Sequence, residues 1–344
     1  MKNPTIVSHF QNQANACRNM GSPFTATLCE HLIDHLNAET KTGYRIENWP
    51  DDPVADALAL RLCGALHSIV IREPKTPLGR LYPDGIHPDF DTILASTIKT
   101  HDDYLSSWLD LPPQTNETGR ASALLPGLLQ ISRQTQQPIQ LVEIGSSAGL
   151  NLQLHQFFYR YNQQNWGNPN SPVILNPEVS GDIPDLEGLL TITSTTGCDI
   201  SPLDTRDQQA QLRLRSYVWP DQQHRVDRLN GAIQLALQTP PELLAMDAAD
   251  FVETQLANRT SNNAFVVMHS IVWQYLPHQT QRRIEDALHK FGSIADHSNP
   301  IFWLRLEGVG DKEPGASLML DTWPNHETIT LARSCFHGNW IKFL

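Results

Sequence analysis

Over the first third of the chain, apolar positions return every three or four residues. Phe24, Leu28, Leu32 and Leu36 form one stripe, and Ala55, Leu58, Leu62, Ala65, Leu66 and Ile69 form a second. This spacing lines one face of a helix. Asp51-Asp52-Pro53 ahead of the second stripe predicts a helix start there, with proline in the first turn and acids at the positive end of the dipole. A turn-rich stretch from Pro74 to Pro88 precedes another helical pattern through Phe90, Ile93, Leu94 and Ile98. Nothing in this region reads as a strand, and Leu111-Pro112-Pro113-Gln114 predicts a break. The first domain is expected to be a helical N-terminal lobe over 1–112, serving as a cap or lid.

Beyond the break the pattern changes. An apolar run from Ala121 to Ile131 predicts a helix, and from Gln140 onward short apolar runs of strand length alternate with helical stretches. The predicted strands are Gln140–Ile144, Leu189–Thr193, Glu242–Met246, Ala264–His269, Pro300–Leu306 and Thr328–Cys335. Helices are expected at Asn151–Tyr161, Ala249–Asn258 and Gln279–Phe291. Such alternation predicts an α/β, Rossmann-like domain over 113–344, a mostly parallel sheet with helices on both faces. A Pro/Asn-rich stretch marks an insertion around 162–188.

Composition narrows the function classes. A formal net charge of −12 argues against a general nucleic-acid binder, whose phosphate contacts need a basic surface. The opening segment is polar and lacks the apolar core of a signal peptide, and no apolar run is long enough to span a membrane. Five scattered cysteines without a C-x-x-C pair read as reduced thiols, so a cytoplasmic protein is expected. His31 and His35, flanked by Glu30 and Asp34, have the spacing of helix-borne metal ligands. No third ligand accompanies them in a zinc motif, so they read as a solvated helix face, and no metal is expected.

The chemistry concentrates at Glu143-Ile144-Gly145-Ser146-Ser147-Ala148-Gly149-Leu150, where a buried strand runs into a glycine turn. In a doubly wound sheet the first strand-to-helix turn faces the ligand crevice. A phosphate-binding P-loop requires Gly-Lys-Ser/Thr, but Gly149-Leu150-Asn151 stands here. A dinucleotide fingerprint requires glycine where Ser147 and Leu150 stand. Gly145-x-Ser147-x-Gly149 matches the nucleophile elbow of α/β-hydrolases, with Ser147 as nucleophile and Asp247 and His269 or His278 as partners. The helical character of everything upstream weighs against the elbow. A strand–acid–apolar–Gly–x–x–x–Gly turn for S-adenosylmethionine (SAM) fits every letter, and a purely structural turn is the third reading.

"LVEIGSSAGLNL" at Leu141–Leu152, "GCDISPLD" at Gly197–Asp204, "VVMHSIVWQYL" at Val266–Leu276, Thr115–Arg120 and Val218-Trp219-Pro220 resemble, in order along the chain, the bacterial family catalogued as domain of unknown function 2332. That family resembles class I SAM-dependent methyltransferases in fold. The resemblance implies SAM as cofactor, held by Glu143, Gly145, Ser146, Ser147 and Gly149. In such a fold the acid after the second strand takes the ribose hydroxyls, here Asp199 with Asp204 behind it. Asp199 stands about fifty residues past Gly149, where a simple βαβ unit puts that acid roughly twenty residues on, so the insertion must fill the gap. Asp247 would accept the adenine amino group, with Ala248 leaving room for the ring, and Arg120 would pair the methionine carboxylate.

His269, at the end of the fourth strand, is the expected general base, with Asn116, Glu117, Ser270, Trp273 and Tyr275 around the acceptor. Plainer readings stand beside each assignment. Asp199 and Asp247 are also good turn or capping residues, His269 a buried hydrogen-bonding group, Trp273 and Tyr275 core aromatics, and Glu117 with Arg120 an i, i+3 salt bridge. The expected function is a SAM-dependent methyltransferase acting on a small-molecule acceptor, with neither nucleic acid nor membrane as partner. The rivals are a serine hydrolase using Ser147 and a non-catalytic SAM-binding or partner-binding module.

Overall fold

The computed structural model describes residues 1–83, 87–310 and 313–344, so part of the turn-rich 74–88 stretch lies outside the described residues. The chain divides into two compact units, Met1–Thr115 with Gln208–Val226, and Asn116–Asp207 with Asp227–Leu344. No helix among the described residues is long and apolar enough to cross a membrane.

The first unit is helical. It contains α1 (Pro4–Asn19), α2 (Pro23–His35), α3 (Lys41–Glu47), α4 (Leu58–Arg72), α5 (Phe90–Thr100) and α6 (Asp102–Trp108). Asn3 and Ser22 cap α1 and α2 by accepting backbone N–H bonds, and proline opens both helices, a pairing that satisfies otherwise orphaned donors. Phe24, Leu28, Leu32 and Leu36 are all buried, as the stripe requires. The second helix starts at Leu58 after a left-handed Ala57, not at Asp51-Asp52-Pro53. Those acids fall in a turn, where Asp52 Oδ1 accepts the Val54 N–H. Tyr217 and Trp219, from the later segment, are buried in this core, and Tyr217 accepts a bond from Trp108 Nε1 at 3.0 Å.

The second unit is a mixed α/β body, with α7 (Ala121–Thr135), β1 (Ile139–Ile144), β2 (Phe158–Tyr161), β3 (Gln164–Gly167), β4 (Ile174–Leu175), β5 (Glu178–Ser180) and β6 (Ile192–Asp199). Two helices follow in the chain, α8 (Gln208–Ser216), which belongs to the first unit, and α9 (Gln223–Gln238), which begins there. Then come β7 (Glu242–Ala245), α10 (Ala248–Ala257), β8 (Ala264–Ser270), α11 (His278–Gly292), β9 (Ile301–Glu307), β10 (Ala316–Trp323), β11 (Glu327–Ser334) and β12 (Trp340–Phe343). Among the described residues the main sheet has nine strands in the order β5-β12-β11-β10-β9-β8-β1-β6-β7. From β7 to β9 every pairing is parallel, whereas β10, β11 and β12 pair antiparallel as a meander. The parallel half changes winding direction between β1 and β8, the kind of switch point where ligands bind at the carboxyl ends of strands.

Alternation along the strands divides the two faces. Val142, Ile144, Phe265, Val267, Ile301 and Trp303 share one core with Phe251 and Val252 of α10 and Ile284 and Leu288 of α11. On the opposite face, α7 comes close enough to β9 that a Cβ on Gly127 would lie 2.6 Å from Leu304 Cδ1. Pro126 inside α7 has no N–H for the Ser122 carbonyl one turn earlier, and the Tyr161 hydroxyl supplies that bond at 2.6 Å.

Two sequence expectations need correction. Asn151–Tyr161 is not a helix. A 3-10 stretch over Leu150–Gln156 is followed by β2, which pairs with β3 and β4 in a small second sheet. The aromatic residues from Phe157 to Tyr161 suit a pleated strand, and the Tyr159 and Tyr161 rings stack at 6.0 Å. The second parallel strand is not Leu189–Thr193 but β6, which pairs with β1 as far as Cys198. Leu189 is exposed, and the Thr-rich run after it carries the ladder.

Candidate functional site

The candidate site lies in the second unit, at the carboxyl ends of β1, β6 and β8. β1 is in the middle of the parallel half, so its last residues are walled by strands on both sides. Glu143 is paired in register with Gly197 of β6 and Met268 of β8, neither of which offers its carboxylate a charge or a polar side chain. Burial therefore pushes the Glu143 pKa up to about 8. Asp199 adds to the rise, while Arg120 and the nearby Asn151 amide oppose it. Its Oε2 is buried without a hydrogen-bond partner.

The turn after β1 is held from three directions. Gly145 and Gly149 have φ +65° and +68°, where an L side chain is strained. A Cβ on Gly145 would also come 2.3 Å from Val272 Cγ2, so both backbone conformation and packing require glycine. Ser146 Oγ and N–H both bond to the Cys198 carbonyl. Ser147, at φ +53°, gives its N–H to Asp199 Oδ2 at 3.0 Å, and its hydroxyl is buried without a partner. Asp199 Oδ1 accepts the Ser201 N–H at 2.9 Å, so the acid at the end of β6 clamps both loops. The insertion between Gly149 and Asp199 is filled by β2, β3, β4 and β5.

The segment before α7 closes the turn from above. Asn116 Oδ1 accepts the Leu150 N–H at 2.8 Å, and Asn151 Nδ2 bonds to the Glu117 carbonyl at 3.4 Å. The Glu117 carboxylate takes the Gly119 N–H and pairs with Arg228. Arg120 donates to two carbonyls, Nε to Phe336 and Nη1 to Ser270, tying this segment to the end of β8.

On the other face of the sheet lies a second cluster. His269 is fully buried, its Nδ1 is 2.6 Å from Glu307 Oε1, and its ring stacks on Trp273 at 5.3 Å. Glu307 Oε1 also accepts the Val272 N–H at 3.1 Å. The other ring nitrogen of His269, Nε2, is buried without a partner. The general base expected from the sequence thus stands on the opposite face from Glu143. The two clusters meet through Val272, held by Glu307 and pressed against Gly145.

Other expected residues take structural places. Asp247 Oδ1 caps α10 through the Ala249 and Asp250 N–H groups, and Oδ2 accepts from Thr280. Ala248 belongs to the core beneath α10. Asp204 is paired with Arg206 and lines a cavity of about 170 Å³ with Ala148, Leu203, Pro241 and Leu243. Tyr275 is largely exposed, and Ser270 is buried with its carbonyl on Arg120. Asn151, Glu307 and Arg228 were not singled out from the sequence. Glu307 closes an apolar strand just before Gly308, a recognisable position, but Arg228 has no local signal at all.

Comparison with curated proteins yields no match to this chain. The buried turn, its orphaned acid and the flanking strands fall within a match covering residues 7–343 to a family described as "Uncharacterized protein conserved in bacteria (DUF2332)", and the chain belongs to that family.

Proposed function

We propose that the turn at Glu143–Leu150 holds the methionine end of SAM and that the protein is a SAM-dependent methyltransferase for a small-molecule acceptor. The observation that carries this reading is Glu143 Oε2, a buried acceptor without a partner at the switch point of a parallel sheet. Leaving such a group unmade costs about 1–3 kcal/mol, which a cationic ligand would recover. The winding order of the parallel half and the acid at the end of β6 support a Rossmann-like site of the class I methyltransferase type. Two features depart from that type: a 3-10 stretch stands where an α-helix usually follows the turn, and the strands after β9 run as a meander.

The donor set suits the ligand. Glu143 offers an acceptor to an ammonium, the Ser147 hydroxyl is a further hydrogen-bonding group on the same turn, and Asp199 is assigned to the ribose hydroxyls. When bound, SAM supplies an electrophilic methyl group. The chain contributes alignment and exclusion of water. Glu307, which also bonds His269, holds the Val272 N–H beside the turn, so His269 is assigned a positioning role.

Calorimetry with SAM and S-adenosylhomocysteine tests the reading, and binding of both is expected. Because Glu143 holds a proton below about pH 8, affinity for SAM should rise with pH towards that value and fall again as the ligand's own ammonium, with an ordinary pKa of about 7.7–8.0, loses its proton. Absence of binding overturns the proposal. Under turnover conditions, His269→Ala is expected to lower kcat.

A serine hydrolase is favoured by one observation, the left-handed Ser147 with its unbonded hydroxyl. Against it, Ser147 Oγ and His269 Nε2 are both without partners and so are not bonded to each other, and Asp247 is occupied as a helix cap. Labelling of Ser147 by a fluorophosphonate would decide for that reading.

A further inference from the structure

We infer that the first unit carries a divalent metal site of the zinc type, formed by His31, His35 and Asp91. The two histidines lie one turn apart on α2, which puts their rings on the same helix face. Asp91 comes from the first turn of α5. The fold thus supplies the third ligand that the local sequence around the histidine pair lacks. His31 Nδ1 is 2.5 Å and His35 Nε2 2.8 Å from the same carboxylate oxygen, Asp91 Oδ1. All three donor atoms lie within 4.8 Å of one another.

Two imidazoles and a carboxylate are a borderline donor set, suited to Zn²⁺ and its transition-metal neighbours in preference to Ca²⁺ or Mg²⁺. Bonds of about 2.1 Å in tetrahedral geometry separate the ligand atoms by roughly 3.4 Å. Asp91 therefore needs to retreat by less than about 1 Å to admit an ion. It is free to do so, since its side chain is 59% exposed. The His31 ring is steadied by Phe90, 4.4 Å away between centroids. Water would complete the coordination on the exposed side. An ion here joins α2 to α5, so binding is coupled to their docking.

The full-length protein, stripped with chelator, is titrated with ZnCl₂ by calorimetry and by thermal denaturation, with MgCl₂ as control. One Zn²⁺ per chain and a Tm rise of about 3 °C are expected, and Mg²⁺ should do neither. Co²⁺ should give visible absorption bands at the same stoichiometry. His31→Gln with His35→Gln, and separately Asp91→Asn, should weaken zinc binding by roughly tenfold or more. These side chains are partly exposed, so metal-free Tm and circular dichroism should stay at wild-type values. If zinc fails to bind, or binds the variants as it binds the wild type, the site does not exist.

Discussion

Glu143 and Asp321 are two buried acids in the same sheet with opposite fates. Asp321 lies on β10 in the antiparallel half, where neighbouring strands run past each other. β9 presents Arg305 and β11 presents Thr328, and both bond to the Asp321 carboxylate. Arg305 also packs over Trp303 at 3.9 Å. Glu143 lies on β1 in the parallel half, where strands end together and its flanking partners are Gly197 and Met268. One acid is neutralised by its fold, and the other is left with a raised pKa and an unbonded oxygen. A buried acid with its partners built in braces the sheet, whereas one without them marks a place for a ligand.

The largest effect is expected at the braced acid. Asp321→Ala strands a guanidinium that is only 15% exposed, and should cost about 3 kcal/mol in urea unfolding while leaving SAM affinity within twofold. A loss below about 1 kcal/mol would erase the distinction between the two acids.

Glu143→Gln should act in the other direction. The folded-state pKa of Glu143, about 8, lies above the ordinary value of 4.5. Between those values the folded protein holds a proton that the unfolded chain has released, so stability falls as pH rises through that window. Glutamine cannot ionise and escapes the loss. The variant should match the wild type near pH 4.5, become progressively more stable than it as pH rises towards 8, and bind SAM poorly. A stability difference that does not vary with pH would show that Glu143 is solvated or paired after all.

The smallest effect is expected at Ser147. Its hydroxyl makes no bond, so Ser147→Ala should shift stability by no more than about 0.5 kcal/mol. The backbone bond to Asp199, which does the clamping, survives that change. A larger loss would reveal a structural role for the hydroxyl and blur the contrast between braced and waiting groups.

Much of this was legible in the chain. The stripe through Phe24 and Leu32, the strands at β1, β8 and β9, and the helices α7, α10 and α11 follow from period and turn chemistry, because each reports a local burial pattern. The glycine turn was legible for the same reason, since positive φ is written in Gly145 and Gly149 themselves. The stretch Asn151–Tyr161 was misread because its leucines and aromatics fit a helical stripe, while pairing with β3 and β4 decided the outcome. β10 lay hidden because its place in the meander is fixed by pairing with β9 and β11, which no local pattern reports. The segment Gln208–Val226, with the polar α8, belongs to the first unit although the chain before and after that segment belongs to the second.

The sequence by itself determined most of the helical stripes and buried strands, the glycine turn, and that an acid precedes the turn. The tertiary structure alone decided which acid keeps an unbonded oxygen, that Glu307 holds His269, and that Asp91 joins His31 and His35. The physical reason is range. Period, capping and turn preferences act over a few residues, but the partner of a buried polar group comes from another element, and only the packed fold says which one.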